Sequence, residues 1–200
     1  MSQPPNDDRI KAHFDASREA LSRAVSDSEL LDTAHIIART ISDALARGNK
    51  LLLIGNGGSA ADAQHIAAEI VGRYKRERAA WPAIALTTDT SALTAIGNDY
   101  GFEQIFARQL QGLGQKGDVL IALTTSGKSP NIIAALQSAR EMGLISIGFT
   151  GLKGASLRDS CDQVLIAPSN DTPLVQQIHM MALHAICDEV EAVLTAHAPK

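Results

Sequence analysis

Leu51-Leu52-Leu53-Ile54-Gly55-Asn56-Gly57-Gly58-Ser59 is the stretch that decides the fold. Four apolar residues run without a polar break, then a glycine-rich loop opens a helical pattern. About seventy residues later the plan recurs in Val119-Leu120-Ile121-Ala122-Leu123, followed by Thr124-Thr125-Ser126-Gly127-Lys128-Ser129. Strands that are apolar on both faces belong to a parallel sheet covered on both sides. In an open α/β sheet, the loops after such strands lie at the carboxyl ends, where ligands bind. Hydroxyls and backbone N–H groups at a helix start suit a phosphate. The two loops together predict a holder of a phosphorylated small molecule.

Outward from these units the pattern alternates. Strands are expected at 50–54, 83–86, 118–123, 145–149 and 163–167. Helices are expected at 58–74, 91–97, 102–113, 130–142, 154–159 and 173–196. Five strands joined by right-handed helical crossovers give an α/β fold, a three-layer doubly wound five-stranded parallel sheet. Upstream, Ile10, Phe14, Leu21 and Ala24 recur at helical spacing, interrupted by Ser17. Asp27 or Ser28 caps a second stripe of Leu30, Leu31, Ala34, Ile37, Ile41 and Leu45, and Gly48 ends it. Residues 1–48 are thus expected as an N-terminal helical pair, serving subunit contacts or packing on the core. Residues 49–200 form the sheet domain. Residues 1–7 read as a loose polar tail.

The 200 residues are 45% hydrophobic, enough for a full core, with a net charge of −4 and a pI near 5.8. A dedicated nucleic-acid surface would be basic. No stretch approaches the ~20 apolar residues of a membrane span, and the start carries no signal-peptide pattern. These features point to a cytoplasmic protein, in which Cys161 and Cys187 are buried free thiols rather than a disulfide.

The first loop fits a permissive dinucleotide fingerprint, Gly55-x-Gly57-x-x-Ala60. The acidic partner is badly placed: the next strand ends near Leu86 and Asp89 follows more than thirty residues after the glycines. The second loop ends like a Walker A motif at Gly127-Lys128-Ser129, but position 122 is Ala where that motif needs Gly. What it does offer is hydroxyls. Thr124, Thr125, Ser126 and Ser129 can each donate to phosphate oxygens. Capping of the next helix would explain one of them and leaves three.

On the helix after the first loop, His65 and Glu69 lie one turn apart on one face. Such a pair is common on solvated helices, but this one stands one to three turns from the loop. The last helix carries Gln176, His179 and His184 among apolar residues, where polar groups need partners. His179 reads as a satisfied core histidine and His184 as something more. His13, His35 and His197 read as ordinary. His65, Glu69, Gln176 and His184 make a four-donor N/O set suited to zinc or a similar divalent ion. Without a metal, Glu and His could instead form an acid/base pair. Gln176 and His184 stand ~12 Å apart along a helix. They reach one point only by leaning together or by coming from different subunits.

At this point the chain resembles the SIS (sugar isomerase) domain family and, within it, the phosphoheptose isomerases. The resemblance runs over nearly the whole chain. It rests on Gly55–Ser59, Asp62-Ala63-Gln64-His65-Ile66-Ala67-Ala68-Glu69, Gly72-Arg73-Tyr74, Pro82–Leu86, Gly97-Asn98-Asp99-Tyr100-Gly101, Thr125-Ser126-Gly127-x-Ser129 and Gln176-x-x-His179-x-x-x-x-His184. It implies conversion of D-sedoheptulose 7-phosphate to D-glycero-D-manno-heptose 7-phosphate through an enediol, the first step towards ADP-heptose and the lipopolysaccharide core. Carried over, Asn56, Gly57, Gly58, Ser59, Thr124, Thr125, Ser126 and Ser129 bind substrate, chiefly its phosphate. Asn98 and Asp99 meet the sugar, with Glu69 and Gln176 also on substrate. His65, Glu69, Gln176 and His184 bind one zinc per subunit, Glu69 is the base and His184 the acid. The resemblance also implies a homotetramer with sites at subunit interfaces, and no nucleic-acid or membrane partner. The alternative is a non-enzymatic SIS tetramer that binds the replication initiator DnaA. Such a protein lacks the full Glu and final-His pair, and both Glu69 and His184 are present here.

Overall fold

A computed structural model describes residues 8–196; the expected tail at 1–7 and His197 lie outside the described residues. Among the described residues the sheet has five strands, β1 (Leu51–Gly55), β2 (Ala83–Ala85), β3 (Val119–Leu123), β4 (Ile145–Gly151) and β5 (Gln163–Ala167). They lie in the order β2-β1-β3-β4-β5, all parallel. Between them run α3 (Gly58–Val71), α4 (Thr90–Tyr100), α5 (Ile105–Leu113) and α6 (Pro130–Met142), with 3-10 segments at Phe102–Gln104 and Leu152–Asp159. α1 (Arg9–Val25) and α2 (Ser28–Ala46) precede the sheet and α7 (Thr172–Ala196) follows β5. The expected doubly wound α/β sandwich is the fold observed.

Every residue of β1 and of β3 is buried. Their side chains alternate between two cores. Leu51, Leu53, Val119 and Ile121 face α1, α2, α3 and α7, whereas Leu52, Ile54, Leu120 and Ala122 face α5, α6 and the Leu152–Asp159 segment. Ala20, Ala24, Leu30, Ile37 and Ile41 join the first of these cores. Of the two roles open to the N-terminal helices, packing on the sheet is therefore present within one chain. Asp8 and Asp27 cap these helices, accepting from the N–H groups of Lys11 and Leu30.

α3 ends at Val71, three residues before the expected 74. The cause lies far away in sequence. The N–H groups of Tyr74, Lys75 and Arg76 donate to the Glu191 carboxylate on α7, not to carbonyls one turn back. A carboxylate that accepts three N–H bonds takes the donors that would continue the helix.

The strand order reverses direction between β1 and β3. In a 2-1-3-4-5 sheet that switch point opens the ligand crevice at the carboxyl edge. Gly55 pairs in register with Leu123, so the two loops that sequence separates by seventy residues emerge side by side.

Candidate active site

The loops after β1 and β3 line a cavity of about 230 Å3, together with the start of α7. It takes in Asn56, Gly58, Ser59, Thr124, Thr125, Ser126, Ser129 and Gln176. Gly57, at φ 56°, forms the N-cap of α3. Two hydroxyls fold the second loop: Thr124 Oγ1 accepts from the Gly127 N–H, and Ser126 Oγ from the Lys128 N–H. Each keeps its own O–H to donate. Ser129 is the N-cap residue of α6, yet its side chain makes no capping hydrogen bond. The hydroxyl that the helix would have explained is thus left to the cavity.

Two contacts fix the cavity's shape. Gly127 has φ +67°, and a Cβ there would stand 2.7 Å from the Gly154 Cα, so the loop turns where only glycine fits. Asn56 and Asn131 exchange a pair of amide hydrogen bonds of 3.0 and 2.9 Å, tying the first loop to the start of α6. Sequence reasoning missed Asn131. Its one signal is an amide at the second position of a helix that follows a hydroxyl-rich loop.

The second part of the site lies along α3 and α7, which pack side by side. At their starts, Gln176 Nε2 approaches Ser59 Oγ at 3.5 Å. A Cβ on Gly58 would stand 2.6 Å from the same amide nitrogen, so glycine lets the helices close. Two turns further, His184 Nε2 lies 3.4 Å from His65 Nε2, which lies 3.0 Å from Glu69 Oε1. Donor atoms of all three fall within 4.8 Å of one another. Ligand atoms around a tetrahedral zinc, with bonds of ~2.0–2.1 Å, stand about 3.3–3.4 Å apart. The group therefore fits a small divalent ion.

Within the chain, Gln176 sits at the loops and His184 at the three-donor group, as their spacing on α7 requires. Asn98 and Asp99, at the end of α4, are exposed and bonded to each other at 2.8 Å. They do not line the loop cavity.

His179, five residues before His184, turns to the sheet. It is fully buried with Nε2 3.2 Å from the Thr150 carbonyl. Burial pulls its pKa down to about 4, against that hydrogen bond. It is the core histidine the sequence indicates. Asp62, on α3 between Gly58 and His65, has a buried Oδ2 without a hydrogen-bond partner. Burial holds its carboxyl above the usual range, opposed by His65. Cys161 and Cys187 are free, and burial pushes both thiols up to about 12.

Comparison with known proteins is decisive on family. Residues 12–151 match the SIS domain. The chain is 61% identical to the phosphoheptose isomerase of Bradyrhizobium sp. (strain ORS 278) over 192 residues, 96% of this chain and 97% of that one. The chain belongs to the phosphoheptose isomerase family of SIS domains. A second member, from Burkholderia pseudomallei (strain 1710b), is 51% identical over 88% of this chain and 89% of its own. Among solved structures, phosphoheptose isomerase GmhA from Neisseria gonorrhoeae superposes with a TM-score of 0.86 at 41% identity. That match covers 92% of this chain and 97% of the other. The Francisella tularensis enzyme gives 0.88 at 35% identity, with the same coverage. The protein is accordingly an isomerase acting on a sugar phosphate, and its fold is that of its family.

Proposed function

We propose that this isomerase converts D-sedoheptulose 7-phosphate to D-glycero-D-manno-heptose 7-phosphate, the opening step of a cytoplasmic route to ADP-heptose. The observation that carries the reading is the placement of two unlike sites on one pair of helices. A hydroxyl-lined cavity lies at the starts of α3 and α7, and a His/Glu/His group lies two turns along them. A long, phosphate-terminated sugar suits such a span: its phosphate enters the loops and its carbonyl end reaches the acid and base.

Thr124, Thr125, Ser126 and Ser129 donate to the phosphate, with Asn56, Gly57, Gly58 and Ser59 completing the cradle. Glu69 removes a proton from C1 of the ketose and returns it to C2, the enediol lying between. His184 donates a proton to the C2 oxygen and accepts one from the C1 hydroxyl, so the reaction is balanced without an external oxidant. His65, Glu69 and His184 would hold zinc. Gln176 of the same chain lies two turns away, 3.5 Å from Ser59, so the fourth donor of the family set would be the Gln176 of a neighbouring subunit. A bound zinc supplies Lewis-acid polarisation of the carbonyl. Asn98 and Asp99 meet the sugar from a neighbouring subunit of a homotetramer. The initiator-binding alternative draws no support from the relatives described, which are isomerases, and Glu69 and His184 stand together in the site.

The test is turnover of sedoheptulose 7-phosphate by the purified protein after chelation, with and without added zinc. Conversion to the aldoheptose phosphate, restored by zinc, is expected. Glu69→Gln should fold normally and turn over at least ~10²-fold more slowly. Near-normal turnover in that variant would remove Glu69 from the chemistry.

A further inference from the structure

Beyond the three donors, the structure contains a brace that connects the two helices carrying them. On α7, His184, Asp188 and Glu191 recur at i, i+4 and i+7 and share one face. Glu191 is completely buried. Its carboxylate accepts from the N–H groups of Tyr74, Lys75 and Arg76 at 2.7, 2.8 and 2.9 Å, and from Arg78 Nε at 3.2 Å. Burial alone would raise its pKa, but these donors and the Arg78 charge hold it below the usual value. Asp188 pairs with Lys75 and Arg76 on the outer side, at 2.7 and 2.6 Å. Tyr74, Lys75, Arg76 and Arg78 therefore pin the segment 74–78 to α7.

Two side chains of this segment reach the donor group. The Tyr74 ring stacks on the His184 imidazole, with centroids 5.4 Å apart and planes 14° from parallel. Arg78 donates through Nη2 to the carbonyl of Glu69 itself at 2.9 Å and through Nη1 to that of Gly72 at 3.1 Å. Its guanidinium lies over the Trp81 ring at 3.8 Å, which fixes its plane. One segment thus grips the carboxyl end of α3, which carries His65 and Glu69, and packs on the imidazole that α7 contributes.

We propose that Tyr74 and Glu191 are positioning residues that set the interval between His184 and the His65–Glu69 pair, and with it the affinity of this group for a divalent ion. The proposal rests on the reading of these three side chains as metal donors. Glu191 acts through the segment, and Tyr74 acts by holding the imidazole plane. Neither donates to the ion. Partners that orient ligating histidines typically change metal affinity by about 10–100-fold when removed.

The test measures the zinc dissociation constant by competition with a chromophoric chelator, in the absence of substrate. It uses the full chain and the variants Tyr74→Ala, Tyr74→Phe and Glu191→Gln. Folding is checked by circular dichroism. Tyr74→Ala should bind zinc about tenfold or more weakly, and Tyr74→Phe, which keeps the stack, should match the parent. Glu191→Gln should weaken binding in the same direction; if it does not fold, the two Tyr74 variants decide. Folded Tyr74→Ala binding zinc as tightly as the parent overturns the positioning role and leaves the metal site standing. A parent chain that binds no zinc overturns the metal reading itself, and the brace falls with it.

Discussion

His179 and His184 are the same residue five positions apart on one helix, and their fates are opposite because α7 has two faces. His179 meets Phe149 and the Thr150 carbonyl under the sheet; His184 meets His65 and Tyr74. The apolar run around them made the first legible as core. The second stood out only beside the His65–Glu69 pair on another helix. His179 makes a prediction about acid stability. Its folded pKa of about 4 lies below the ordinary 6.5, so between those values the unfolded chain binds a proton that the folded chain refuses. Stability should rise with pH across that window and be fully present above it. The contribution is roughly 1.4 kcal/mol per pH unit. Denaturant midpoints from pH 7 to pH 4.5 should show this slope reduced in His179→Gln, which keeps a donor for Thr150 and does not titrate. An unchanged slope would assign the acid sensitivity elsewhere.

At the scale of elements, the site is made by adjacency. β1 and β3 pair directly, so their loops form one cradle. The continuous apolar runs foresaw two buried parallel strands with ligand loops at their carboxyl ends, but not that the two are neighbours. The lock between the loops was not foreseeable, because Asn56 and Asn131 meet only once the sheet has formed. Nor was the early end of α3, where a carboxylate 117 residues from Tyr74 takes the helix's donors. Local pattern sets where elements start. Long-range hydrogen bonds decided this end and this lock. Removing the lock should therefore act on binding. Asn131→Ala is expected to raise KM for the sugar phosphate about tenfold, equivalent to ~1.4 kcal/mol, with a smaller change in kcat. Stability should fall by about 1 kcal/mol as the half-buried Asn56 amide loses its partner. Steady-state kinetics and urea unfolding on the same preparation separate the two effects. A fall in kcat at constant KM would place Asn131 in the chemistry instead.

For the whole molecule, α1 is the part whose sequence and structure disagree in an instructive way. One apolar stripe runs along it, yet a single chain covers only its second half. Ala20 and Ala24 are buried, while Ile10 and Phe14 are 74% and 71% exposed. Two large apolar side chains one helical turn apart in water are costly unless another surface covers them. The same chain leaves Asn98 and Asp99 on the surface, outside the loop cavity. A second copy would answer both features, covering the stripe and carrying the exposed pair to a neighbour's sugar. The expected particle is a homotetramer of about four times the 21.2 kDa chain mass, measured by light scattering or sedimentation. The double variant Ile10→Glu, Phe14→Glu should run as a smaller species. It should also lose most turnover although no residue of the cradle or the donor group is altered, because each site would lack its neighbour's contribution. A variant that dissociates and keeps full turnover would show that one chain completes its own site. A variant that remains tetrameric would move the subunit contact off α1.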